Sequence, residues 1–471
     1  MRHVLVLVAI FVASASLLAA GCDPRVPADT GIVPEQGCLL DVEHFADVSI
    51  EPTLVPTVFE ASWTTTEPGL GQVMLSAGDE PWFTPLEDGV RTDHQALLVG
   101  SPALSTIQVR LVNDVDGELL CSESYARSTP APPPELPVLA LDEAFGGAGP
   151  GGWSLLPLGS EFSSVPALVD DQGRYCWWMQ DDGYYFYADL AQDGRGLLLL
   201  DSPSAPDGQG RIVEVGFDGE LLGERVVDGA HNHLVSAPDG AIYLLGRERY
   251  EVEIEGEPVS MLSDTVIELL PDGEQTVLWS ARTALFDAMY AVICQRALEA
   301  PPGDFDWTHG TTLAYDEQND LLVVALTGAN TILALDRATG AVEWMLGGDA
   351  ATLEGSQALV SIPHSVQVFD DRVLLYNQRY FRHGEECGEA TEIKVDLESS
   401  SAELAWWGRE PDCGTTDVLG SAYRTADGGT LMSGGTLGRL SWFDASGELT
   451  WRLTADLGTT LGGASHVAAF R

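Results

Sequence analysis

Between about residue 48 and residue 128 apolar and polar positions alternate in short runs, VFEASWTTTEP, GQVMLSAG, HQALLVG, STIQVRLVND and LLCSESYARS, separated by turn residues. A period of two over such runs marks strands with one buried face, so residues 41–129 are predicted to form a small β-sandwich. The segment PAPPPELP follows at 130–137, and a semi-rigid proline linker is expected over 130–148. From 149 to 471 the pattern repeats: an apolar strand, a turn, a second strand ending near Asp, a Gly turn, and a strand closing near Trp. The copies are GLLLLDSPSAPDGQGRIVEVGFDGELL, AIYLLG with DTVIELLPDGEQTVLW, LLVVALTGANTILALDRATGAVEWMLGG, RVLLYNQR with EIKVDLESSSAELAWWG, and TLMSGGTLGRLSWFDASGELTWRL. A sixth can be assembled from ALVDDQGRYCWW at the start and HVAAFR at the end, which pairs the two ends of the region and closes a ring. The fold class is all-β, an N-terminal β-sandwich followed by a six-bladed β-propeller. Spacing between copies is uneven, and the extra segments near 250–305 and 379–390 are expected to shape one face.

The first residues change the compartment. Arg2 and His3 precede an apolar stretch from Val4 to Leu18 that ends on Ala19, Ala20 and Gly21, so 1–21 reads as an export signal, too short for a comfortable membrane span. The segment LLAAGC resembles a bacterial lipobox, which makes Cys22 the lipidated residue, 22–40 a flexible tether, and the protein an exported, membrane-anchored lipoprotein on the periplasmic or cell-surface side. A plain signal peptide with Cys22 as a bystander is the other reading. The sandwich itself, with Trp63 on an early strand and Ile107, Val109 and Leu111 alternating on a late one, resembles fibronectin type III domains. Six further cysteines in an oxidising compartment point to disulfides. Proximity in the domain plan favours Cys38 with Cys121 and Cys387 with Cys413, which leaves Cys176 with Cys294.

Charge narrows the partners. Lys and Arg total 23 against 72 Asp and Glu, a formal −49, which argues against nucleic acid and requires a locally positive pocket for any anionic substrate. No phosphate-binding Gly loop, G-x-S-x-G elbow or dinucleotide fingerprint stands in a strand-to-helix context.

The chemistry-bearing residues are histidines. His231 and His233 in HNHLVSAPDGAIYLLG, His309 in DWTHGTTLAYDEQNDLLVVAL, and His364 in IPHSVQVFDDRVLLYN each precede a turn and an apolar strand, and equivalent positions of successive blades converge on a propeller's central channel. Core packing explains such recurrence poorly, since apolar residues fill those positions more readily. Structural histidines bonded to backbone, and a metal cluster to which HNH offers two imidazoles, are the alternatives; no constellation of carboxylates at metal-like spacing accompanies them.

The stretch DWTHGTTLAYDEQNDLLVVALTGANTILALDRATGAVEWMLGG resembles the arylsulfate sulfotransferase signature, a W-x-H segment leading into a strand and a return through T-G-x-x-x-W-x-L-G-G. PHSVQVFDDRVLLYN resembles that family's second motif, and the likeness runs over most of 150–455. The resemblance implies transfer of a sulfuryl group from a small aromatic sulfate to a phenol through a sulfohistidine, with no nucleotide sulfate donor, no other cofactor and no metal. It implies His364 as nucleophile, His309 as donor to the sulfuryl or leaving oxygen, and His231 or His233 as third member, although the family's histidine in that blade can align with Asn232 instead of either neighbour. Asn377 and Thr327 fall among the implied substrate-binding positions. The family has an arginine where this chain has Thr327, and Arg379 and Arg247 end the corresponding strands of the following and preceding blades, from which either could supply the guanidinium that sulfate recognition favours. A non-catalytic propeller lipoprotein that binds a ligand or partner is the competing reading, and a metal-dependent lyase or hydrolase on the same histidines is a third.

Overall fold

The computed structural model describes residues 38–470 apart from 79–80, 161–162, 180, 182, 192–193, 203–207, 383–384, 417 and 457. The expected export signal, Cys22 and nearly all of the expected tether lie outside the described residues. The N-terminal unit is one seven-stranded sheet curled into a half-barrel, not two separate layers. Its long strand Phe59–Ser76 serves both halves: the first part pairs with Phe45–Pro52 and Arg91–Leu98, the second with Thr106–Val115 and Pro81–Phe83. Alternation along that strand sends Phe59, Ala61, Trp63, Val73 and Leu75 inward against Ile107, Val109 and Leu111. Cys38 and Cys121 form a disulfide that fixes the first strand to the sheet.

Six sheets of four or five strands form the propeller, antiparallel except where Phe305–Asp306 runs parallel to Met261–Leu262. We number its blades I to VI in chain order. The inner strands of blades II to VI are Tyr185–Leu190, Ala230–Ser236, Gly310–Asp316, Pro363–Phe369 and Ser421–Arg424. Blade I takes its inner strand from the chain's end, where Ser465–Val467 pairs with Trp153–Leu155 as the repeats predict. Blade VI is extended by Leu139–Gly146, which pairs with Leu449–Ala455 as a fifth, outermost strand. This corrects the expected linker, which stops short of residue 139. The ring is therefore closed at both its inner and its outer edge by segments about three hundred residues apart in sequence.

The long connection after blade III adds a helix, and the cysteines bring a further correction. The connection carries a helix, Phe286–Glu299, that buries Met289, Ile293 and Ala297 at four-residue spacing. Cys176 and Cys294 are free: the former is buried in blade I, the latter lies on that helix, and the two pack into different clusters. The Cys387–Cys413 bridge is present and joins the outer hairpin of blade V to the connection into blade VI.

The half-barrel docks on the propeller through Val55, Val58 and Val99, which share a core with Trp153, Trp177, Phe217 and Phe470. Thr57 Oγ1 donates to the Cys176 carbonyl at 2.8 Å and Trp153 Nε1 to that of Gly100 at 3.2 Å. These contacts fall at the ends of the blades away from the histidines, so the half-barrel leaves that mouth uncovered.

Candidate active site

Each histidine stands where an inner strand begins, and the strands begin irregularly for a reason. Register shifts occur between Ala230 and Leu234, Gly310 and Thr312, and Pro363 and Val366. Such bulges re-aim side chains that a regular pleat would send elsewhere. The chain also enters three successive blades through a left-handed residue, His309 (φ 44°), Ile362 (φ 52°) and Leu419 (φ 64°). For a β-branched residue such as Ile362 this conformation is strained, by roughly 1–3 kcal/mol, and strain of this kind collects at functional sites.

His231 and His309 are joined through Asp264. His231 Nε2 lies 2.8 Å from Asp264 Oδ1, while Oδ2 accepts from Thr308 Oγ1 and, at 2.7 Å, from the Gly310 amide. The carboxylate thus holds the Thr308 side chain on one side of His309 and the Gly310 backbone on the other. Gly310 is required there, because a Cβ would come within 2.7 Å of Asp264 Oδ1. Although burial opposes ionisation, the hydrogen bond and charge of His231, the Thr308 hydroxyl and the charge of Arg247 hold Asp264 below the usual carboxylate range.

His309 faces Asp306, three residues earlier. Nδ1 is 2.9 Å from Asp306 Oδ2, and the His309 amide donates to Oδ1 at 2.9 Å. That hydrogen bond, working against burial, raises the His309 pKa above its ordinary value even though 49% of the side chain is exposed. The Arg247 guanidinium lies 3.8 Å from the same carboxylate, with its Nε buried and without a hydrogen-bond partner among the described residues.

His364 differs from both. Its ring is buried, Nε2 accepts from the Leu419 amide at 3.2 Å, and Nδ1 is 3.4 Å from Tyr187 Oη. An amide N–H can only donate, so Nε2 carries the lone pair and a neutral ring holds its proton on Nδ1. Burial and then the neighbouring His309 push the pKa down to about 3. Two adjacent imidazoles are therefore driven apart, one toward the cation and one to the neutral base.

The other expected residues divide. His233 sits deeper in the channel, its Nδ1 accepting from the Leu313 amide at 3.2 Å and its Nε2 3.6 Å from Asp189, away from Asp264. Asn232 donates to the Gly310 carbonyl at 2.6 Å. Thr327 takes a clasp role: its amide donates to the His309 carbonyl at 3.1 Å and its hydroxyl to the Pro363 carbonyl, which ties blade IV to blade V. Asn377 is fully buried and holds the 359–361 turn, accepting from Ser361 N and donating to the Leu359 carbonyl. Arg379 is exposed at the bulge of its strand, where its carbonyl accepts from Ser361 Oγ. Of the two expected arginines it is Arg247 that stands against the histidine pair. Asp264, Asp306 and Tyr187 are members of the site that the sequence did not single out.

Residues 137–368, about half of the chain, match the family model described as Arylsulfotransferase (ASST). The arylsulfate sulfotransferase AssT of Escherichia coli O6:H1 (strain CFT073) is 25% identical over 197 residues, and that of Lelliottia amnigena 24% over 196 residues. Each alignment covers 34% of this chain and 32% of the relative, so the match spans about a third of the length of these relatives. Among solved structures, a luciferin-regenerating enzyme superposes with a TM-score of 0.34 at 13% identity, covering 71% of this chain and 100% of that one, a likeness too faint to carry an argument. The family match takes in His231, His233, Arg247, His309, Thr327 and His364, and stops before Asn377 and Arg379.

Proposed function

The chain carries an arylsulfotransferase domain over residues 137–368, and on that premise we propose that it moves a sulfuryl group from an aryl sulfate to a phenol, with His364 as nucleophile. The observation that carries this reading is the contrast between His364, held neutral with a lone pair on Nε2, and His309, held toward the cation by Asp306. Paired groups whose environments separate their pKa values divide naturally into base and acid.

In the first step Nε2 attacks sulfur, the aryl oxygen departs with the bonding pair, and His309 gives that oxygen its proton. The Leu419 amide must leave Nε2 as the sulfur arrives. In the second step neutral His309 takes the proton of the acceptor phenol, whose oxygen displaces His364 from sulfur. Arg247 supplies positive charge beside the sulfuryl oxygens, in place of the arginine that Thr327 replaces. Asp264 fixes His231 and the backbone around His309, so His231 acts by positioning. Export and lipid attachment through Cys22 belong to the same proposal, and the two disulfides suit an oxidising compartment.

The test is peptide mass after mixing the purified protein, without its export signal, with 4-nitrophenyl sulfate while phenol release is followed. A sulfuryl adduct on the peptide containing His364, absent in His364→Asn, is the expected result. No adduct and no phenol across several aryl sulfates would transfer the weight to a ligand-binding propeller, a reading that the engagement of both His364 nitrogens in the resting site favours.

A further inference from the structure

Tyr187 belongs to blade II, directly across the six-bladed ring from blade V, yet its side chain reaches the nucleophile. Its Oη lies 3.4 Å from His364 Nδ1 and donates to the His364 carbonyl at 3.3 Å. The phenol hydrogen is thus directed to the carbonyl, and the oxygen faces Nδ1 as an acceptor. The Tyr187 ring meets the His233 ring edge-on at 4.4 Å. On the other side a Cβ at Gly463 would fall 1.8 Å from the Tyr187 ring, and the Gly463 amide donates to the Phe186 carbonyl at 2.8 Å. The segment that closes the ring therefore leaves room for this one side chain. Burial and the charge of Asp189 raise the phenol far above its ordinary range, so it remains an acceptor without becoming an anion.

We propose that Tyr187 is a positioning residue of the nucleophile, holding His364 in the tautomer with the proton on Nδ1 and the lone pair on Nε2. The proposal rests on His364 being the nucleophile. Its chemical reason appears once sulfur is bound. As the Nε2–S bond forms and the S–O(aryl) bond breaks, the ring becomes an imidazolium that retains its Nδ1 proton, while the departing oxygen takes its proton from His309. A carboxylate behind Nδ1 would draw that proton away and turn the ring into a poor leaving group for the second transfer. A neutral phenol accepts the hydrogen bond and leaves the proton in place.

The test uses the whole exported chain labelled with 15N-histidine and substitutes Tyr187→Phe, which retains the ring. In the native protein, long-range proton–nitrogen correlation should show His364 as the single Nδ1–H form; in Tyr187→Phe only the Leu419 amide still selects that form, and a fraction of the Nε2–H tautomer should become detectable. The single-turnover rate of His364 sulfation should fall about tenfold, the worth of one buried hydrogen bond, with aryl sulfate affinity within about twofold. Gly463→Ala, which displaces the same ring, should shift the tautomer in the same direction if Tyr187→Phe folds poorly. A pure Nδ1–H form in both variants, or a sulfation rate unchanged by Tyr187→Phe, would overturn the proposal. A tautomer shift in a protein that no aryl sulfate modifies would uphold the positioning and sink the sulfotransfer reading instead.

Discussion

Removing the carboxylate of Asp264 should destabilise the propeller measurably, and the size follows from what the side chain holds. Asp264 and His231 are each 1% exposed, so water cannot take over for a lost partner. Asp264→Ala leaves His231 Nε2, the Thr308 hydroxyl and the Gly310 amide without their acceptor. Three orphaned buried donors at about 1–3 kcal/mol each, partly relieved as the site relaxes, put the loss at about 4 kcal/mol. Unfolding entropy is about 2 cal/mol/K per residue, or about 0.7 kcal/mol/K over the roughly 330 residues of the propeller, so a loss of about 4 kcal/mol lowers Tm by about 6 °C. Asp264→Asn should lower it by less, because its oxygen still accepts from Gly310 and its amide can donate to a neutral His231. Scanning calorimetry at neutral pH decides between them. An Asp264→Ala protein within about 1 °C of the native Tm would show that the His231–Asp264 pair does not hold this part of the ring. The sign also fixes the acid limb. The folded pKa of Asp264 is depressed, so its contribution is present above the unfolded value near ~3.9 and is lost as pH falls through the lower folded value.

The rate should follow the opposed shifts of the two imidazoles. With His364 pushed down to about 3 and His309 raised, kcat/KM for 4-nitrophenyl sulfate should show no acid limb near the ordinary histidine value of ~6.5 and should fall on the alkaline side as His309 loses its proton. In Asp306→Asn that alkaline fall should move to lower pH, since the group that raises His309 is gone; an unmoved limb would assign the acid role elsewhere. Salt should report the global field: at −49 formal charge an anionic substrate is repelled beyond the site, so kcat/KM should rise as the Debye length shrinks from about 30 Å at 0.01 M to about 10 Å at 0.1 M salt. A fall with salt would mean that Arg247 and His309 dominate the field at the mouth.

The blades were legible because each repeats strand, turn and strand with its own apolar run, and ring closure was legible because the two end fragments complete one another. Leu139–Gly146 was not, since its partners lie at Leu449–Ala455 and nothing local separates a strand after PAPPPELP from the linker itself. The helix Phe286–Glu299 buries only one residue per turn and so leaves a narrow apolar stripe. The histidines stood out by recurrence. Their partners did not: Asp264 is one of 72 acidic residues, and Tyr187 meets His364 across 177 residues of sequence. The local signals were the D-W-T-H spacing, which the left-handed turn at His309 folds back onto Asp306, and the run of four aromatic residues at 184–187.

Thr327 shows how one substitution redistributes a site. A threonine at the strand end cannot supply charge, but its amide and hydroxyl span the His309 and Pro363 carbonyls and set blade V against blade IV. An arginine at that position would keep the backbone bond to His309 but have no hydroxyl to clasp the Pro363 carbonyl. In the proposed mechanism the positive charge comes instead from Arg247, one blade earlier, which shares the Asp306 carboxylate with His309. Asp306 therefore couples the two groups: it raises the His309 pKa and lies 3.8 Å from the Arg247 guanidinium, so on the proposed reading an arriving sulfuryl group would compete with it for both. If that exchange occurs, substrate charge and Asp306 charge stand in for one another, and a protein as acidic as this one can still present Arg247 and a protonated His309 to an anion.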